Sequence, residues 1–128
     1  MHTIKVQDDD QLFEALQQGP ADRDNAAHVY VLFYAREAPA TGVSWCPDCV
    51  KADPLVRQGI EKIPDSVLIT YPFDRKTGGA KHYWQSPTLT INALPTLVKV
   101  HKGGKLGDAL VEADCYNPAM LEAFLGQA

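Results

Sequence analysis

A chain of 128 residues with 45% apolar side chains can build one well-packed domain and is too short for two of ordinary size. A formal net charge of −4 and a pI near 5.4, with Lys and Arg scattered rather than clustered, argue against nucleic-acid binding and against a polybasic membrane patch. The expectation is one domain over residues 1–128, monomeric, with neither nucleic acid nor membrane as a partner.

The opening residues Met1-His2-Thr3-Ile4-Lys5-Val6, followed by Asp8-Asp9-Asp10, lack the apolar core of a signal peptide. No apolar run nears the roughly 20 residues that a bilayer span needs, so a cytoplasmic location is expected. Alternating Ile4 and Val6 predict a short strand. Asp8 to Asp10 then cap a helix whose apolar positions Leu12, Phe13 and Leu16 sit at helical spacing, ending before Gly19-Pro20. His28 to Ala35, HVYVLFYA, is β-branched and aromatic without helical gaps, which predicts a buried central strand.

Residues 36–45 carry Pro39 and Gly42 and read as a loop. Cys46 opens a helix, with Pro47 placed where a missing amide costs nothing, and the helix runs to Ile63 before Pro64 ends it. Pro54 inside it predicts a kink. Val67 to Tyr71 is the next strand, and residues 72–86, PFDRKTGGAKHYWQS, read as a polar loop. Thr96–His101 is a strand, Gly103-Gly104 a hairpin turn, and Ala109-Leu110-Val111 part of the returning strand. Asn117-Pro118 starts a last helix with Met120, Leu121, Phe124 and Leu125 facing inward. Strands alternating with helices, then a hairpin and a helix, predict a mixed α/β sandwich about a central sheet.

Chemistry concentrates in Trp45-Cys46-Pro47-Asp48-Cys49. Two cysteines one helical turn apart at a helix start can close a disulfide, with the first expected outward and the second sheltered. Unpaired amides and the positive end of the helix dipole favour a thiolate on Cys46, which makes it the nucleophile and Cys49 the resolving thiol. A bare Cys-x-x-Cys is equally half of a zinc site, for which Cys115, His2, His28, His82 and His101 are the remaining candidates. No second Cys-x-x-Cys or His-x-x-x-His completes such a set. Asp48 places a fixed negative charge beside the thiols, which opposes thiolate formation and acidic partners, and as a first-turn carboxylate it also suits the dipole. Trp45 is read as a shield for the disulfide and an edge for substrate, and Cys115 as a buried structural thiol.

A Cys-x-x-Cys directly after a strand–helix–strand pattern, with Leu94-Pro95-Thr96 before a late strand, resembles the thioredoxin superfamily. SWCPDCVKADP, the Tyr83-Trp84 pair, ALPTLVKV and Val111-Glu112-Ala113-Asp114-Cys115 narrow the resemblance to its WCPDC branch, called Clot in plants and represented in animals by a small cytosolic thioredoxin-related protein. It implies a thioredoxin fold, a cis Pro95 lying against the cysteines, and a Leu94-Pro95 backbone that docks extended substrate. It further implies a reductase of small disulfides such as cystine and of some thiol proteins, fed by thioredoxin reductase, with no bound cofactor or metal. One departure is plain: only QSPTLTINAL separates Trp84 from Pro95, where the family carries a longer polar stretch. A redox-switched binding module of the same fold, and a zinc module, are the alternatives.

Overall fold

In the computed structural model, which describes residues 2–22, 28–44, 46–73, 94–101 and 105–126, nine elements follow in order. They are β1 (His2–Lys5), α1 (Asp9–Asp22), β2 (His28–Ala35), α2 (Pro47–Glu61), β3 (Ser66–Phe73), β4 (Thr96–His101), β5 (Lys105–Val111), a 3-10 segment (Glu112–Tyr116) and α3 (Pro118–Leu125). The strands form one sheet in the order β1-β3-β2-β4-β5. β1, β3 and β2 run parallel, while β4 is antiparallel to β2 and β5 to β4. Every residue of β2 after His28 is buried, which is why its sequence shows no polar alternation.

Side-chain parity along β3 shows that the helices cover both faces. Ser66 donates its hydroxyl to Ile60 O of α2 at 3.0 Å, and Tyr71 donates to Asp9 Oδ1 of α1 at 2.6 Å. An even and an odd residue of one strand point to opposite faces, so α1 and α2 lie on opposite sides of the sheet. On the α1 side Phe33, Tyr71 and Phe73 form an aromatic cluster, Tyr71 edge-on to Phe73 with ring centres 4.7 Å apart. On the other, Tyr30 meets Phe124 of α3 at 6.2 Å.

The amphipathic pattern of α2 buries Cys49, Ala52, Val56 and Ile60, at spacings of three and four. Pro54 sits inside the helix on its exposed side and has no amide to offer the carbonyl four residues earlier. Gly59 allows α3 to approach, for a Cβ there would lie 2.5 Å from Leu125 Cδ1. A groove of about 490 Å³, lined in part by Leu55, Gly59, Ile63 and Leu121, opens between the two helices, toward the end of α2 away from the cysteines.

Several boundaries differ from the sequence reading. α1 runs through Gly19-Pro20 to Asp22. Met120 in α3 is 43% exposed, so it does not belong to the inner face assigned to it. α2 stops at Glu61 with Lys62 as C-cap, because Pro64 disfavours helical geometry at Ile63. Pro72 and Phe73 extend β3 rather than begin a loop. Thr70 O accepts from Val6 N at 2.9 Å, so Pro72, two residues on, lacks its amide on the side where β1 has ended opposite Thr70. The loop read at 74–86 and the turn at Gly103-Gly104 lie outside the described residues.

Asn117 caps α3 through Oδ1, which accepts from Ala119 N at 3.1 Å and Met120 N at 3.2 Å. Replacing Asn117 with Ala should lower stability by about 1 kcal/mol in urea unfolding, with the slope of the transition unchanged.

Candidate active site

The loop between β2 and α2 is folded back on itself. Glu37 and Ser44 form an antiparallel bridge, Ala38 N donates to Val43 O at 2.9 Å, and Gly42 N reaches Ala38 O at 2.7 Å. Gly42 has φ +70°, a conformation that glycine adopts without a Cβ penalty. This closure delivers Ser44 next to the helix start, where its Oγ accepts from Cys46 N at 3.2 Å.

Cys46 is the N-cap of α2. Its Sγ accepts from Cys49 N at 3.2 Å, in the place that a serine or aspartate oxygen usually takes, and Pro47 follows as the first helical residue, exposed. The Cys49 thiol donates to Cys46 Sγ at 2.7 Å, and both cysteines are free thiols. Leu94 O lies 3.8 Å from Cys46 Sγ, across the cis Leu94–Pro95 bond. Pro95 O in turn accepts from Glu112 N at 2.8 Å and from the Cys115 thiol at 3.6 Å, while that thiol also lies 3.3 Å from Leu110 O. Glu112 itself has φ +52°, the left-handed region, at the point where β5 passes into the 3-10 segment.

Six of the residues singled out from sequence, Cys46, Pro47, Asp48, Cys49, Leu94 and Pro95, therefore meet in one place. Trp45 lies outside the described residues. The expected outward placement of Cys46 is corrected: it is 8% exposed against 2% for Cys49, because the Leu94–Pro95 segment covers it. Cys115 is fully buried, and burial pushes its thiol up to about 12. Two participants were not foreseen. Ser44 partners the Cys46 amide, and Tyr116 donates its hydroxyl to Asp48 Oδ1 at 3.0 Å. Ser44 makes a local bond two residues ahead of the cap, a serine turn that the sequence reading passed over, whereas Tyr116 lies 68 residues from Asp48 and carried no local signal. Among the described residues no three His, Cys, Asp or Glu gather as a metal-holding group, and no helix is long and apolar enough to cross a membrane.

The two thiols are pushed apart electrostatically. The bond from the Cys49 thiol lowers Cys46 most; burial opposes it, the Cys49 and Asp48 amides help, the Asp48 charge works against it, and the net position is about 7. Cys49 moves the opposite way, raised first by serving as donor to Cys46 and then by burial. Near neutral pH Cys46 is poised between thiol and thiolate while Cys49 stays protonated, a division suited to nucleophile and resolver.

A family model described as the thioredoxin domain of thioredoxin domain-containing protein 17-like proteins matches residues 6–127. Thioredoxin domain-containing protein 17 of Homo sapiens is 33% identical over 101 residues, 74% of this chain and 76% of the human protein. Thioredoxin-like protein Clot of Arabidopsis thaliana is 34% identical over 93 residues, 69% of each chain. Among solved structures, thioredoxin O2 from Arabidopsis thaliana in the oxidised state aligns with a TM-score of 0.60 at 24% identity, covering 99% of this chain and 97% of that one. The likeness establishes the thioredoxin fold.

The thiol arrangement has a signed consequence for titration. Followed by ultraviolet thiolate absorbance, Cys46 should ionise with a midpoint near 7. Cys49→Ala removes the largest stabilising donor and should move that midpoint up toward the ordinary thiol value of about 8.5, whereas Asp48→Asn removes an opposing charge and should move it down by about half a unit. A midpoint unmoved by Cys49→Ala would show that the thiol–thiolate bond is not what activates Cys46.

Proposed function

This chain belongs to the thioredoxin domain-containing protein 17-like family, and on that footing we propose that it is a thiol-disulfide reductase acting on small-molecule disulfides and selected protein disulfides. Family and fold make it a thioredoxin-fold redox protein; the reductase activity, its substrates and its reductant are the further reading. One observation carries it: an activated Cys46 and a protonated Cys49 share a helix start directly against the cis Leu94–Pro95 segment.

The chemistry balances as two exchanges. The Cys46 thiolate attacks one sulfur of a substrate disulfide, forming a mixed disulfide and releasing the other substrate sulfur as thiolate. Cys49 then gives its proton to the departing thiolate and attacks Cys46 Sγ, leaving a Cys46–Cys49 disulfide and a reduced substrate. Two electrons from a thioredoxin reductase, fed by NADPH, restore the dithiol. Cys49 already points its thiol at Cys46, so resolution needs little rearrangement. Leu94, Pro95, Trp45 and Pro47 are proposed to shape the substrate edge, and the reducing cytosol to be the setting.

Small disulfides are favoured on steric and electrostatic grounds. Cys46 is nearly covered, and Asp48 adds a negative charge beside it, so a compact disulfide such as cystine has readier access than a folded acidic protein.

The decisive measurement is NADPH oxidation coupled through thioredoxin reductase, with cystine and insulin as alternative substrates; cystine should turn over faster. Cys46→Ser should abolish turnover, Cys49→Ser should accumulate a mixed disulfide seen by intact mass, and Cys115→Ser should keep turnover near that of the native chain. Stoichiometric complexes without any turnover would instead support the binding-module reading, and loss of activity in Cys115→Ser with full activity in Cys49→Ser would displace the assigned resolver.

A further inference from the structure

The first turn of α2 and the 3-10 segment meet beside the dithiol. Tyr116 donates its hydroxyl to Asp48 Oδ1 at 3.0 Å, closing a contact between residues 68 apart in the chain. Lys51, three residues past Asp48 on α2, places its ammonium 5.4 Å from the centre of the Tyr116 ring. The ring is thus held by an anion at its hydroxyl and a cation at its face, and both Asp48 and Tyr116 are half-buried. The bond to Asp48, reinforced by desolvation and by the Asp48 charge, raises the phenol's ionisation above its usual value, so the hydroxyl stays a donor near neutral pH.

Among the described residues, the titratable or charged groups bearing on this spot are Asp48 and Lys51 from α2, Cys46 at its cap, and Glu112 and Cys115 from the 3-10 segment. The Asp48 charge works directly against the Cys46 thiolate. A hydrogen bond to a charged acceptor draws off part of that charge and fixes its position, which an exposed aspartate would lack.

Resting on the reductase reading above, we propose that Tyr116 is a positioning residue for this dithiol: its hydroxyl holds and damps the Asp48 carboxylate, and so sets how strongly the site turns away anionic disulfides relative to cationic ones. Cys46 remains the group that touches substrate, and Tyr116 acts on it only through Asp48. The preference falls with added salt, because the charge at issue is at the solvent edge.

A double-mutant cycle tests this. Tyr116→Phe keeps the ring beneath Lys51 and removes the hydroxyl alone, while Asp48→Asn keeps an acceptor for Tyr116 and removes the charge. Tyr116→Phe should raise the Cys46 thiolate midpoint by roughly 0.3–0.5 pH units. It should also raise the ratio of kcat/KM for cationic cystamine to that for anionic oxidised glutathione about 3-fold at low salt. In the Asp48→Asn background it should change neither. An equal displacement in both backgrounds, or none in the native one, overturns the proposal, since a merely structural tyrosine would act regardless of the charge at position 48. Absence of turnover with every disulfide would count against the reductase reading instead, and the titration cycle, which needs no turnover, would still decide the role of Tyr116.

Discussion

One sulfur atom has two duties here, and most of the site follows from that. Cys46 Sγ caps α2 by accepting the Cys49 amide, and the same atom is the proposed nucleophile. A thiolate is a better acceptor than a thiol, so ionising Cys46 strengthens the cap, and the helix in turn lowers the cost of the charge. Helix capping and nucleophile activation are one equilibrium. Everything else in the neighbourhood adjusts it: the Cys49 thiol adds a second donor, the Asp48 charge subtracts, and burial under Leu94 raises the stakes of both.

The surrounding structure holds this atom from two directions. The closed loop between β2 and α2 presents Ser44 to the Cys46 amide, while the 3-10 segment grips the carbonyl of Pro95 through the Glu112 amide and the Cys115 thiol. The cis Leu94–Pro95 segment is thus fastened on its outer side by residues that directly follow β5. Cys115 is best understood through this bond: buried in an apolar setting and far from ionising, it serves as a weak donor that helps keep the segment seated.

Much of this was legible in the sequence, for identifiable reasons. HVYVLFYA could be read as the central strand because a strand buried on both faces leaves no polar period, and Asn117-Pro118 marked a helix start because its capping chemistry is local. WCPDC located the cysteine pair at a helix start, and the proline before the late strand located the segment that lies against it. Apart from Ser44, what escaped at the site depended on distance along the chain. Nothing near Tyr116 announces Asp48, and the inward tilt of Cys46 depends on a segment nearly 50 positions away, Leu94 being 48 residues on. Pro72 read as a breaker because sequence does not say where β1 ends; once that end is known, the missing amide has no partner to disappoint.

The order in which these parts leave the ribosome matters as well. The helix that carries both reactive cysteines is made early, whereas its cover and Tyr116 come last, Tyr116 lying 68 residues beyond Asp48. At about 5–20 residues per second, roughly 3–14 s pass between them. For the first part of that interval the nascent chain carries Cys46 and Cys49 with no Leu94 beside them, and for all of it with no Tyr116 to hold Asp48. The dithiol is therefore made before the parts that enclose it, and whatever keeps it reduced in that interval lies outside the chain.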